Sequence, residues 1–199
     1  MGEIKEVIVA TGNIGKFREF QRILGEIGIR AIFPKDLGLS QNAEETGETF
    51  LENAYIKARE FTRITGLCCV ADDSGLCVDA LGGEPGIFSA RYMEHHSQEE
   101  KNKAILERLR GVPREKRSAH FESAVCFCFN DEREPIFSVG RCYGFIGEEP
   151  RGSEGFGYDP IFYVGERSVA QLSPEEKDEI SHRGKSIAGL IQKLKDINL

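Results

Sequence analysis

Residues 4 to 10, Ile-Lys-Glu-Val-Ile-Val-Ala, have the apolar density of a buried strand. They run into Thr11-Gly12-Asn13-Ile14-Gly15-Lys16 and then into apolar residues at helical spacing: Phe17, Phe20, Ile23, Leu24 and Ile27. A strand that hands over to an amphipathic helix through a short glycine turn commits a chain to packing helices on a sheet. The pattern recurs. Gly28 stops the first helix, Ile29 to Phe33 resume a strand, and the polar, acidic stretch from Pro34 to Gly47 reads as a loop. Thr49-Phe50-Leu51-Glu52 then has the form of a capping box, opening a helix with Phe50, Ala54, Ala58, Phe61 and Ile64 on one face. Asn53 and Lys57 project together from a neighbouring face.

An apolar strand at 68 to 72 follows, then the turn-rich Leu81 to Gly86, and Ser97-Gln98-Glu99-Glu100 caps a helix that runs to about Leu109. Ala119 to Phe129 and Pro135 to Phe145 read as an antiparallel pair joined by five polar residues, 130 to 134. Ser173-Pro174-Glu175-Glu176 is a capping box with proline in the first helical position, and Ile187, Leu190, Ile191 and Leu194 pack a final helix. The expected class is α/β with a mixed β-sheet flanked by helices, because helices alternate with strands early while the middle is hairpin-like.

At 199 residues, with 40% hydrophobic and 30% charged content, the chain reads as one domain. Its net charge of −7 repels a polyanionic backbone, so nucleic acid is not expected as a partner, although a local cluster of lysines and a helix N-terminus can still hold a small anion. No window approaches 18 apolar residues and the start lacks the apolar core of a signal peptide, so no membrane partner and a cytoplasmic location are expected. Of the six cysteines, Cys68 and Cys69 are adjacent, while Cys126 and Cys128 share a strand face. In apolar runs they read as small buried hydrophobes rather than disulfide partners or metal ligands.

Three places carry chemistry. Thr11 to Lys16 lies where backbone N–H groups and a helix N-terminus can hold phosphate, with Lys16 as a mobile cation; its glycines are too close for a Walker loop. Val70-Ala71-Asp72-Asp73-Ser74-Gly75-Leu76 is expected to deliver two carboxylates and a hydroxyl into a tight glycine turn. Adjacent strand residues face opposite sides, so Asp73 is assigned to the site, as metal ligand or as the base that deprotonates water, and Ser74 hydrogen-bonds a nucleotide. Glu44, Glu45 and Glu48 form an acidic loop which, folded onto Asp73, would require a cation.

These motifs, together with Phe50-x-Glu52-Asn53-Ala54-x-x-Lys57-Ala58, Gly83-x-Pro85-Gly86, Ser89-Ala90-Arg91-Tyr92, Gly155-Phe156-Gly157-Tyr158-Asp159-Pro160 and Ser181-His182-Arg183-Gly184, resemble in content and order those of the inosine triphosphate pyrophosphatases. These are the Ham1-like, non-canonical purine nucleoside triphosphate pyrophosphatases. The resemblance implies hydrolysis of ITP, dITP and XTP to monophosphate and pyrophosphate, dependent on Mg²⁺. It also implies a homodimer whose elongated mixed sheet forms two lobes with a nucleotide cleft between them. By position it implies that Thr11, Gly12, Asn13, Ile14, Gly15 and Lys16 bind the triphosphate, supported by Lys57. Glu44 and Asp73 would hold the metal, with Glu45 and Glu48 as alternatives to Glu44, and Asp73 would accept the proton. Ser74, Phe156, Gly157, Tyr158, Asp159, Lys177, His182 and Arg183 would contact the nucleotide, mainly its base. Cationic donors such as Lys177 and Arg183 suit a C6 oxo group and mismatch adenine's amino group. A Maf-like pyrophosphatase, a non-catalytic nucleotide sensor and an RNA-binding module are the competing readings. The His182-Arg183 pair with Phe156 to Asp159, the intact carboxylates and the acidic charge argue against them in turn.

Overall fold

The computed structural model describes residues 4–39 and 44–197; the part of the expected 34 to 47 loop at 40–43 lies outside them. Seven strands form one sheet in the order β2-β1-β3-β4-β5-β6-β7. They are β1 (Glu6–Val9), β2 (Arg30–Ile32), β3 (Cys69–Val78), β4 (Ser118–Cys128), β5 (Ile136–Ile146), β6 (Phe162–Val164) and β7 (Arg167–Ser168). β1 runs parallel to both β2 and β3, whereas β6 pairs antiparallel with β5 and β7, so the sheet is mixed as expected. The segment from 129 to 135 that joins β4 to β5 is too short for a parallel crossover, which makes that pair antiparallel. The helices are α1 (Ile14–Gly25), α2 (Phe50–Thr65), α3 (Gln98–Arg108), α4 (Pro174–Ile180) and α5 (His182–Asp196). None of the described helices is long and apolar enough to cross a membrane.

The chain divides into two compact units, residues 1–73, 123–140 and 182–199 in the first and 74–122 and 141–181 in the second. In the first unit β1, the start of β3 and the end of β4 are buried on both faces, and the period of two sorts their side chains. Val7, Val9, Val70, Val125 and Phe127 pack with Phe17, Phe20 and Leu24 of α1 and Ile187, Leu190 and Leu194 of α5. Ile8, Ala10, Cys69, Ala71, Cys126 and Cys128 face the other way, onto Ala54, Ala58 and Phe61 of α2. The six thiols are free; five are buried and Cys77 is half-buried. In the second unit Leu76 and Val78 of β3 pack with Ile105 and Leu109, the β4 and β5 residues Phe121, Cys142 and Ile146, and Tyr158, Ile161 and Phe162.

The three expected capping boxes are present at Thr49, Ser97 and Ser173. Three expectations are corrected. α1 ends at Gly25, so Ile27 falls beyond the helix and is exposed, as is Ile64 in the last turn of α2. Pro34–Leu37 forms a short 3₁₀ helix within the expected loop. Most importantly, there is no turn at Asp73-Ser74-Gly75. β3 runs straight through it, since Leu76 and Val78 continue the buried alternation and Gly75 is not in the left-handed region.

Candidate active site

Because β3 stays extended, the parity that sorts its apolar residues also sorts its carboxylates. Asp72 follows Val70 onto the face covered by α1 and α5, and Asp73 follows Ala71 onto the face covered by α2. Both are almost fully buried, at 2% and 6% exposure.

On the first face Lys16, from the first turn of α1, sits 3.2 Å from Asp72 Oδ2. Arg183, from the first turn of α5, donates to the same oxygen from Nε and Nη2 at 3.1 and 3.0 Å, and from Nη1 to Glu19. Burial alone would raise the pKa of Asp72, but Lys16, Arg183 and Lys57 outweigh it and hold the group well below the carboxylate range. Asp72 Oδ1 has no hydrogen-bond partner among the described residues. Arg183 is itself buried, and its two carboxylates more than offset the desolvation that would otherwise lower its pKa. Arg183 is thus a counter-ion to Asp72 and Glu19.

On the second face Asn53 Nδ2 donates to Asp73 Oδ2 at 3.1 Å and Lys57 Nζ to Oδ1 at 3.3 Å. Lys57 also donates to Glu45 Oε1 at 2.7 Å. Here compensation is incomplete. Burial raises the pKa of Asp73, Lys57 and Lys16 pull it back, Glu45 and Asp72 push it up again, and the net shift is upward. Burial would strip Lys57 of its proton, but Asp73, Asp72 and Glu45 raise its pKa instead. The acidic loop thus reaches this cluster through half-buried Glu45, while Glu44 and Glu48 are exposed. Gly47 brings the loop in close: a Cβ there would meet Asn53 Oδ1 at 2.8 Å, the oxygen that accepts from Gly47 N.

Asn13 caps α1 by accepting from Gly15 N and Lys16 N, and its own N–H donates to Thr11 Oγ1. Gly12, Asn13 and Ile14 are exposed at this end, beside buried Thr11. His182 opens α5 and is buried; a Cβ on Gly140 would meet its carbonyl at 2.2 Å, so β5 and α5 are in backbone contact there.

In the second unit Asp159 Oδ2 accepts from Lys177 Nζ at 2.7 Å and from Phe156 N at 2.9 Å. The ammonium lies 4.4 Å from the Phe156 ring centre. Gly155, at φ +73°, permits this arrangement, because a Cβ there would meet Asp159 Oδ2 at 2.2 Å. Phe156, Gly157, Gln98, Asn102, Lys103 and Leu106 help to line an adjoining cavity of about 660 Å³. Ser74 lies on β3 and is half-buried.

Sequence reasoning missed Glu19, and the only signal for it was a glutamate on the apolar face of an amphipathic helix. Asn53 was placed correctly but given no task.

Asp73 and Glu45 are hard oxygen donors gathered around one ammonium, and Asp73 lacks full charge compensation, so the donor set suits a divalent cation. Among the described residues no three metal-ligating side chains converge into a complete cage. An ion held here would share its coordination with substrate and water, the usual habit of Mg²⁺ at phosphates.

The chain was compared with known proteins. It is 44% identical to a dITP/XTP pyrophosphatase of Shigella flexneri over 97% of this chain and all of that protein. It is 42% identical to a dITP/XTP pyrophosphatase of Bacillus cereus, over 98% of this chain and 97% of that one. The solved structure of the Staphylococcus aureus Ham1 protein superimposes with a TM-score of 0.84 at 38% identity, covering 96% of this chain and 99% of the other. With residues 7–193 matching the family pattern as well, the chain belongs to the Ham1 family.

Proposed function

We propose that the protein hydrolyses non-canonical purine nucleoside triphosphates, ITP, dITP and XTP, to the monophosphate and pyrophosphate, and so cleanses the nucleotide pool. The observation that carries this reading is the charged cluster of buried Lys57, Asp72 and Asp73 with half-buried Lys16, which the middle of β3 gathers from the first turn of α1 and the middle of α2. Such a cluster is costly to bury and is retained where charge must be handled. Relatives named as dITP/XTP pyrophosphatases support the substrate class.

In this mechanism Lys16 and Lys57 neutralise and position the triphosphate, assisted by the exposed start of α1. Asp73 accepts the proton of the attacking water; its raised pKa makes it a better base than an exposed aspartate. Water attacks the α-phosphorus, the α–β bridging bond breaks, and pyrophosphate leaves. Mg²⁺, held by Asp73 with Glu44, or with Glu45 or Glu48 in its place, would neutralise phosphate charge. Asp72, fixed by Arg183 and Glu19, orients Lys16. Base reading falls to Ser74, Phe156 to Asp159 and Lys177, whose ammonium suits a C6 oxo group; His182 and Arg183 are kept as base contacts on the resemblance alone. The whole chain is treated as one catalytic domain, working as a cytoplasmic homodimer without nucleic-acid or membrane partners.

The test is incubation of the purified protein with ITP, XTP, ATP and GTP, with Mg²⁺ or with chelator, resolving products by ³¹P NMR. Monophosphate and pyrophosphate from ITP and XTP, lost with chelator and weak with ATP and GTP, are expected. Orthophosphate release would contradict the assigned bond, and binding without turnover would favour a sensor.

A further inference from the structure

The Gly83 to Gly86 and Ser89 to Tyr92 motifs have no task in the mechanism, and neither does the polar face of α3, yet both converge on the loop that carries Phe156. Asn102 of α3, 7% exposed, donates from Nδ2 to the carbonyl of Gly157 at 3.1 Å, and its Oδ1 accepts from Gln98 Nε2 one turn earlier at 3.1 Å. The Tyr158 hydroxyl donates to the carbonyl of Ser89 at 2.8 Å. Ser89 Oγ accepts from Leu76 N of β3 at 2.9 Å and donates to Gly86 O at 2.6 Å. Lys101 Nζ donates to Ala90 O at 3.0 Å, fastening this turn to α3 as well.

The loop needs such anchors. Gly155 and Gly157 are both in the left-handed region, at φ +73° and +65°, and no strand ladder holds residues 155 to 159. The Asn102 side chain at Gly157 O and the Ser89 carbonyl at Tyr158 Oη tie down the middle of a segment whose ring and aspartate face Lys177. Asn102 also helps to line the cavity beside Phe156.

We propose that Asn102 and Ser89 are positioning residues for base discrimination, holding the 156 to 159 loop in one conformation relative to Lys177 and to the β3 segment that carries Ser74. The inference rests on the proposed function for the identity of the base, while the anchoring itself does not. Neither residue touches the reacting phosphates in this scheme, so the effect falls on nucleotide choice and KM rather than on kcat.

The experiment uses Asn102→Asp, which keeps the size and the Oδ1 acceptor but replaces the donor with an oxygen facing Gly157 O. It also uses Ser89→Ala, which removes only the hydroxyl that holds the Ser89 turn on Leu76 N and Gly86 O, in case the first variant fails to fold. Two readouts are taken on the full chain. The first is hydrogen–deuterium exchange of a peptide spanning residues 153 to 161 without nucleotide, with peptides of α1 and α2 as internal reference. The second is kcat and KM for ITP and for GTP. Faster exchange confined to the loop is expected, with kcat for ITP within about twofold and the ITP-over-GTP ratio of kcat/KM falling about tenfold, the discrimination that one or two misplaced polar contacts control. Unchanged loop exchange in both variants would overturn the anchoring. Faster exchange with an unchanged ratio, or a loss confined to kcat, would make these residues structural only. Wild-type protein inert toward every nucleotide would instead overturn the proposed function and, with it, the assignment to base choice.

Discussion

Two sides of one strand carry neighbouring carboxylates with opposite fates. Asp72 meets Lys16 and Arg183 and is driven to the ionised form; Asp73 meets Asn53 and Lys57, shares that lysine with Glu45, and is pushed toward the protonated form. Burial is nearly equal, so the difference lies in how many cations each face supplies. A fully compensated buried charge holds neighbours in place, whereas an under-compensated one is available to take a proton or a cation. The comparison predicts that damage to the Asp72 face is read in stability and damage to the Asp73 face in turnover.

The largest effect is expected from Asp73→Asn, which should lower kcat on ITP about a thousandfold or more, the upper range for losing a general base. Urea unfolding of that variant should show little loss, since the neutral amide is no worse to bury than a carboxylate whose burial is only partly offset. Retained turnover would remove Asp73 from its role and break the comparison. Arg183→Met should do the reverse. It removes the guanidinium that Asp72 and Glu19 share, and unfolding should cost about 3 to 5 kcal/mol less, as for other broken buried ion pairs. A large change in ITP-over-GTP preference with unchanged stability would make base reading, not charge pairing, the main role of Arg183.

Acid sharpens the contrast, because the two groups are linked to folding with opposite signs. Asp72 has a lowered folded pKa, so its contribution is present above the ordinary value of 3.8 and is lost as pH falls toward the folded value. Asp73 has a raised folded pKa, so its contribution is present below 3.8 and is lost as pH rises through the folded value. Asp72→Asn should therefore flatten the acid side of the stability profile. The acid limb of kcat/KM, which follows Asp73, should lie above 3.8 in the wild type. The smallest effect is that of Asn13→Ala, which removes the α1 cap and should cost about 1 kcal/mol. Phosphate binding to the N–H groups that Asn13 occupies should recover part of that loss, seen as a larger ligand-induced rise in Tm than in the wild type.

What was legible in the sequence was local. The capping boxes at Thr49, Ser97 and Ser173 involve residues three apart, and the opposite orientation of Asp72 and Asp73 follows from strand geometry alone. The pairing of Asn53 with Lys57 was equally readable from helical spacing, and both reach Asp73. Long-range partners were not readable. Arg183 meets Glu19 across 164 residues and Asn102 meets Gly157 across 55, and no local pattern announces either bond. The expected turn at Ser74-Gly75 is absent for another reason: a glycine permits a turn but does not require one, and the packing of Leu76 and Val78 keeps the backbone extended.

The strand order has a consequence for self-association. The two edges of the sheet are its short strands β2 and β7, three and two residues long. Each carries an exposed arginine held by a glutamate, Arg30 by Glu6 and Arg167 by Glu176. Short, charged edges offer little unpaired backbone for another chain to extend. Copies of this protein should therefore meet through side-chain surfaces rather than by zipping sheets together, and a concentrated solution should resist fibrillar aggregation at both ends of the sheet.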